Sequence, residues 1–500
     1  MLKVLKTCWR GLDFLRRLTL NLVFLLILGA IVFAFFYEKP VSVPNNAVLL
    51  VTLSGQVVEE DDFDGQGTFS SMVDGSDSFT RLRDVTRALS LAAEDKRIAA
   101  VHFRVQDLQK AGLASLREIG AAMDRVKAAG KKITVWSTGY SQIQYAVAAH
   151  ANEVFVHPMG GVMLKGLSGT RLYWGSALKE LGVTVHVYRA GDYKSAPEIF
   201  VRSEPSKESL AADRFWMKDI WWQYTANIES SRGLMPGAVD KVIATYPELL
   251  EKAQGDMSRV ALDQSLIDSV HTADEVIDIL RTRMGWKSAT EERLLDYRLY
   301  LEAAETVPSG KRVAVVTIEG EIKDGGDGPG MTGERDAVQR IRAVRESPDY
   351  AALVVRIDSP GGSPVASELI RRELELVKKA GKPVVASFGD YAASGGYWVA
   401  LGADTIVTDP MSITGSIGVF GMMPTFDRLS LGTGGVSTSP LADAMNPLKS
   451  VTPEYGKMME LSVARIYRDF ISLVAKGRKM DEQKVAALAQ GRVFTGRQAI

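Results

Sequence analysis

The chain repeats itself. Ala47–Val57 aligns with Val313–Ile322, Ile98–Val105 with Tyr350–Ile357, Val126–Val135 with Val377–Ala386, and Tyr145–Pro158 with Tyr397–Pro410. The last pairing holds one offset throughout, 397 − 145 = 410 − 158 = 252. Similarity across successive segments argues for tandem duplication, so whatever fold one half adopts, the other must adopt too. Each copy alternates short β-branched runs with amphipathic stretches. Leu353–Ile357 is followed by Ala366–Val377, with apolar residues at helical spacing, then by another strand, a helix and the run Thr405–Thr408. That order predicts an α/β fold with a mostly parallel sheet and helices on its faces, built twice.

The expected boundaries are an N-terminal copy over 46–285, a connector over 286–311 and a C-terminal copy over 312–500. Two stretches rich in Gly, Asp and Ser, 59–78 and 323–334, occupy equivalent places. They are expected to be mobile loops where the offset between copies changes. Copy one continues through Leu262–Val270 and a further helical stretch, whereas the sequence stops at Ile500 inside an expected helix. The second copy is therefore expected to be truncated, with another strand and one or more helices to follow.

Ahead of the repeats, Leu18–Tyr37 is an almost unbroken apolar run, with Thr19 and Asn21 its clearly polar members. At about 1.5 Å per residue it matches a bilayer core of about 30 Å. Lys3, Lys6, Arg10, Arg16 and Arg17 precede it, and Glu38-Lys39-Pro40 closes it. Basic residues on that flank place 1–17 in the cytoplasm, make 18–37 an uncleaved membrane anchor and put the bulk of the chain outside. A cleaved leader would have a shorter apolar core, about 7–15 residues, and a small-x-small site after it. The single cysteine, Cys8, excludes an intrachain disulfide framework, and a net charge of zero gives no pull toward nucleic acid.

The chemistry concentrates in Gly389–Ala400. Pro383–Phe388 reads as a buried strand and Tyr397–Leu401 as the first turns of an apolar helix, so Ser394 stands at a strand-to-helix junction, near the positive end of a helix. The two glycines after it let a substrate backbone approach. Asp358-Ser-Pro-Gly-Gly-Ser363 also follows a strand, and Gly361 and Gly362 permit a turn whose N–H groups can hold an oxyanion. Alone that segment equally fits a plain turn with a helix cap. Together with Ser394 it fits acyl transfer.

The base is the open question. No histidine follows His271. His102, His150, His157, His186 and His271 all belong to copy one, and nothing in the sequence pairs one of them with Ser394. Copy one has lost the glycines, carrying Gln106-Asp-Leu-Gln-Lys there, and sets Gln142 or Ile143 opposite Ser394. It carries Lys194 instead, in Gly191–Phe200, opposite Pro447. Most lysines are solvated, but a lysine present only in the copy that lacks the serine fits one site assembled from two halves. Buried, such an amine can act as a general base. No His/Cys/carboxylate spacing suggests a metal, and no cofactor is expected.

Asp358–Gly362, Tyr391–Tyr397, Thr414–Gly418 and Gly191–Ser195 together resemble the signal peptide peptidase A (protease IV) family, in its long two-repeat bacterial form. The resemblance implies a ClpP/crotonase-like fold and a Ser/Lys dyad with Ser394 as nucleophile, Lys194 as general base and backbone near Gly361 and Gly362 as oxyanion donors. It further implies a bowl-shaped homotetramer at the periplasmic side of a bacterial inner membrane. The implied substrates are remnant signal peptides and other apolar peptides. The alternatives are a non-catalytic membrane-bound scaffold, or a crotonase-type reaction on a thioester, for which no carrier-nucleotide motif is present. Open points are whether Ser394 and Lys194 meet within one chain or between subunits, and which of Ser363, Ser412 and Ser416 orients the lysine.

Overall fold

The computed structural model describes residues 2–36, 42–60, 79–287, 293–304, 310–429, 432–439 and 441–500. Two seven-stranded sheets carry the fold. The first runs Phe79–Arg81, Ala47–Val58, Ile98–Lys110, Lys132–Ser137, Glu153–Val156, Ser269–Val270, with Leu294–Asp296 also paired to Ala47–Val58. The second runs Met331–Gly333, Arg312–Lys323, Tyr350–Gly362, Val384–Ala393, Ile413–Gly415, Val493–Thr495, with Thr405–Val407 on Val384–Ala393. All pairings are parallel except that of Ile413–Gly415 with Val493–Thr495. Near-continuous apolar strands covered by helices are what parallel sheets require.

The duplication is visible strand by strand. Strands starting at Ile98, Lys132 and Glu153 recur from Tyr350, Val384 and Thr405, each 252 later (350 − 98, 384 − 132, 405 − 153). The first strands differ by 312 − 47 = 265, and the edge strands by 331 − 79 = 252, so the offset changes between them, as the sequence suggests. Residues 61–78 of the first expected loop lie outside the described residues. The second, 323–334, is a built turn and not a mobile loop. Asp327 Oδ1 accepts from the Gly333 N–H at 2.8 Å, Asp336 Oδ2 accepts from the Asp327 N–H at 2.8 Å, and 331–333 is a strand. Its Asp and Gly residues close the turn, which is the other structure such composition builds.

The stretch 286–311 is more than a connector. Leu294–Asp296 joins the first sheet, and Tyr297–Ala304 packs Tyr297, Tyr300 and Leu301 into the first core. The first structural unit therefore reaches beyond 285. The two copies are sewn together by an antiparallel pair, Thr184–Ala190 on Val419–Thr425, and by Met411 of copy two entering the first core. Polar links add to the seam: Arg356 bridges Glu59 (2.6 Å) and Glu118 (2.9 Å), and Arg117 meets Asp409 at 2.7 Å.

The N-terminal helix spans Leu2–Phe36, and Leu22, Phe24 and Leu26 are among its exposed side chains. Among the described residues no helix is long and apolar enough to cross a membrane. The expected anchor, 18–37, runs on past Gly29, where its side chains lie outside the described residues.

Candidate active site

The strand Val384–Ala393 ends directly on Ser394, which caps the helix Gly395–Ala400. Ser394 sits at φ 53°, ψ −117°, a conformation that costs a non-glycine residue on the order of 1–3 kcal/mol. It is fixed there by its N–H donating to Gly415 O (2.8 Å) and its carbonyl accepting from Trp398 N–H (2.9 Å). The corresponding helix of copy one, Gln142–Ala148, starts one residue earlier, so its N-cap is Ser141, one position before the Gln142 that alignment sets opposite Ser394. Ser141 is an ordinary N-cap at φ −71° whose hydroxyl accepts from the Gln144 N–H. Copy one thus keeps a hydroxyl at the junction but relaxes the backbone and turns the hydroxyl to capping.

Gly361 and Gly362 lie beside this junction. A Cβ on Gly361 would stand 2.5 Å from Gly395 N and 2.8 Å from Ser394 Cβ; one on Gly395 would stand 3.0 Å from Gly362 N. Gly361 has φ 103°, a value glycine tolerates and other residues resist. Its own N–H donates to Ser359 Oγ (3.1 Å), and that hydroxyl donates to Gly320 O (2.6 Å). The amides adjoining Ser394 are therefore those of Gly362 and Gly395. Gly395 is absent from the sequence-based candidates. Its signal was available: as the first residue of a helix, its N–H has no intrahelical acceptor.

Lys194 arrives from the other copy. The strand Thr184–Ala190, paired on Val419–Thr425, delivers the loop that follows it onto Gln490–Arg492. Tyr193 N–H donates to Gln490 O (2.8 Å), Arg492 stacks over the Tyr193 ring at 4.2 Å, and a Cβ on Gly491 would lie 2.6 Å from Lys194 N. Backbone-to-backbone seating of this kind leaves Lys194 6% exposed. Its Nζ lies 3.0 Å from Ser394 Oγ, 2.9 Å from Ser416 O and 2.9 Å from Ser416 Oγ, all within one chain.

Burial pushes the Lys194 amine down to about 8. A neutral amine has two N–H donors and one lone pair. Ser416 O can only accept and Ser416 Oγ can accept, which leaves the lone pair for the Ser394 hydroxyl proton. Of the three serines left open, Ser416 holds the lysine. Ser363 caps the helix Pro364–Lys379, accepting from Ala366 N–H, and donates to Asp324 (2.8 Å). Ser412 donates to Gly389 O (2.6 Å). The histidines have other partners: His102 meets Thr134, His150 meets Asp124 and Asn227, His157 accepts from Met159 N–H, His186 meets Thr425 and His271 meets Glu275. No cluster of metal-ligating side chains occurs among the described residues.

Ser394 and Lys194 open into a cavity of about 670 Å³. Ile199, Val419, Phe420, Ile466, Phe470 and Val493 line part of it, Arg171 and Glu321 also face it, and the glycine loop forms one side.

A serine hydroxyl, a buried amine and flanking amides at one cavity are the parts that acyl transfer requires. The profile of peptidase family S49 matches residues 125–287 and 377–500, one stretch in each copy. Protease 4 of Salmonella typhi is 34% identical, covering 99% of this chain and 82% of that protein. The chain belongs to peptidase family S49. Protease 4 of Haemophilus influenzae is 32% identical over 100% of this chain and 83% of its own length. The chloroplastic serine protease SPPA of Arabidopsis thaliana is 28% identical over 93% and 67%. The S49 chain is accordingly a serine protease of the signal peptide peptidase A group. Among solved structures, a ClpP1 mutant from Listeria monocytogenes overlays with a TM-score of 0.26 at 12% identity, over 37% of this chain and 84% of that one, too slight a likeness to build on.

Proposed function

We propose that this S49 protease is a membrane-anchored endopeptidase with a Ser394/Lys194 dyad that degrades remnant signal peptides. The observation that carries the reading is the 3.0 Å approach of a buried amine to a strained serine hydroxyl. Neutral Lys194 takes the Ser394 proton as Oγ attacks the scissile carbonyl. The N–H groups of Gly362 and Gly395 face the oxyanion that forms. Lys194 then returns the proton to the leaving amine, and water, deprotonated by the same lysine, releases the acyl group. Gly361 acts one step back, its amide tied to Ser359.

The apolar part of the cavity lining, Ile199, Val419, Phe420, Ile466, Phe470 and Val493, supports apolar peptides as substrates. The exposed apolar side chains of the N-terminal helix support the assignment of 18–37 as an anchor, which would keep the protease at the membrane where such peptides remain. The motif resemblance supports a ClpP/crotonase-like fold for each copy, a homotetramer, and a catalytic part on the periplasmic side of a bacterial inner membrane. The test is hydrolysis of a synthetic signal peptide by the vesicle-reconstituted protein, with Ser394→Ala as control. Cleavage within the apolar core, lost in the variant, is expected. Cleavage of soluble polar peptides alone would overturn the substrate assignment.

A further inference from the structure

The helix Leu113–Ala128 of copy one starts without a cap of its own. Its N-cap is Gly112, extended at φ −80°, ψ 160°, with no side chain to offer. The acceptor comes from the other copy. Asp390 Oδ1 accepts from the Ser115 N–H at 3.0 Å, and Oδ2 accepts from the Ser115 hydroxyl at 2.6 Å. A Cβ on Gly112 would fall 1.9 Å from Asp390 Cγ, and the three atoms nearest to it all belong to that carboxylate. The side chain one copy lacks is thus replaced by a side chain of its twin. The corresponding helix of copy two, Pro364–Lys379, needs no such help, because Ser363 caps it in place.

Asp390 is not a remote residue. It lies on Val384–Ala393, the strand that runs into Ser394 four residues later (394 − 390). Its neighbour Tyr391 donates its N–H to Asp358 Oδ1 at 2.7 Å, and Asp358 lies on the strand that leads to Gly361. On the other side, Gly389 O accepts from Ser412. The strands bearing the nucleophile and the glycine loop are therefore tied down side by side at Asp390. A strained serine persists only where its surroundings overdetermine it. In copy one the residue 252 earlier is Thr138, and there the junction serine, Ser141, is relaxed.

We propose that Asp390 is a positioning residue for the reaction: its cross-copy cap fixes the end of the nucleophile strand and so holds Ser394 in line with Lys194. The proposal rests on the dyad reading above. A purely structural role, holding up one helix, makes a different prediction, and a cap moved to the other copy separates the two. Asp390→Ala removes the carboxylate and vacates the space where a residue 112 side chain would sit. Adding Gly112→Ser then caps the helix in cis, at backbone angles close to those of the N-cap Ser141.

The readouts are Tm, and kcat and KM for Ser394-dependent peptide hydrolysis well below every variant's Tm. Asp390→Ala is expected to lower Tm and to lower kcat by roughly 10–100-fold with KM little changed. The double variant Asp390→Ala/Gly112→Ser is expected to regain Tm while kcat stays low. Asp390→Asn, which keeps an acceptor on the strand, should recover much of kcat. Recovery of kcat together with Tm in the double variant would show a structural cap only and overturn the proposal. So would wild-type kcat in Asp390→Ala, whatever the cis cap does to Tm. Retained hydrolysis in Ser394→Ala would instead remove the dyad reading itself.

Discussion

The amine of Lys194 lies 3.0 Å from the hydroxyl of Ser394 although 200 residues of chain separate them. On the proposed mechanism, each copy alone holds half a reaction centre. Copy one supplies the amine and has a relaxed serine; copy two supplies the strained serine and the glycine loop. Because the meeting occurs inside one chain, assembly of subunits is not needed to bring the pair together.

A base at this position must be neutral to act. With the amine pushed down to about 8, kcat/KM should rise as pH increases through that value and level off above it. Lys194→Ala and Ser394→Ala should each abolish hydrolysis while leaving the fold intact. Lys194→Arg should fail as well, since guanidinium does not release its proton in this range. A pH–rate profile that stays flat across the region around 8 would take Lys194 out of the mechanism.

Ser416 gives Lys194 both a carbonyl and a hydroxyl, each at 2.9 Å. Ser416→Ala removes the hydroxyl and leaves the carbonyl. Loss of one such bond, about 0.5–1.5 kcal/mol, should lower kcat by up to roughly tenfold, with KM near the wild-type value. Steady-state kinetics on one apolar peptide decides it. An unchanged kcat would mean that the carbonyl alone orients the amine.

The duplication, the α/β class and the pairing of Lys194 from one copy with Ser394 from the other were legible in the sequence, because repetition and complementary loss survive without coordinates. What sequence could not reveal depends on dihedral angles. Gly361 and Gly362 look alike in a string, yet the Gly361 amide turns to Ser359 and the amide beside Gly362 is that of Gly395. Ser363, Ser412 and Ser416 are equal candidates by composition; only their neighbours assign capping to the first, strand anchoring to the second and the lysine to the third. That Ser141 takes the N-cap in copy one was not visible, because the helix there starts one residue earlier than in copy two. The run 323–334 read as a loose loop because Asp and Gly serve mobile segments and tight turns equally.

The glycine loop makes a steric prediction. At Gly361 a methyl group would meet Gly395 N and Ser394 Cβ at under 3 Å, from a backbone angle of φ 103° that L-residues avoid. Gly361→Ala should therefore move the loop off Ser394 and cost at least about 100-fold in kcat, the effect associated with a misplaced oxyanion donor. Labelling by a serine-reactive fluorophosphonate should slow in parallel. Normal labelling with lost turnover would place the damage in substrate binding instead.

The depressed lysine also has a stability signature. In the unfolded chain its pKa takes the ordinary lysine value near 10.4, and in the fold burial holds it at about 8. Below 8 both states are protonated and the folded state bears the full cost of a buried ammonium. Between 8 and the ordinary value the unfolded state binds more protons, so stability rises with pH; above it the cost is gone. Lys194→Met, which fills similar volume without charge, should therefore be the more stable protein at about pH 7, by on the order of 1–3 kcal/mol, and should lose that advantage by about pH 11. Denaturant unfolding of both proteins at the two pH values measures the difference directly. An advantage that is constant with pH would mean that burial does not lower the amine's pKa, and the base assigned to Ser394 would have to be sought elsewhere.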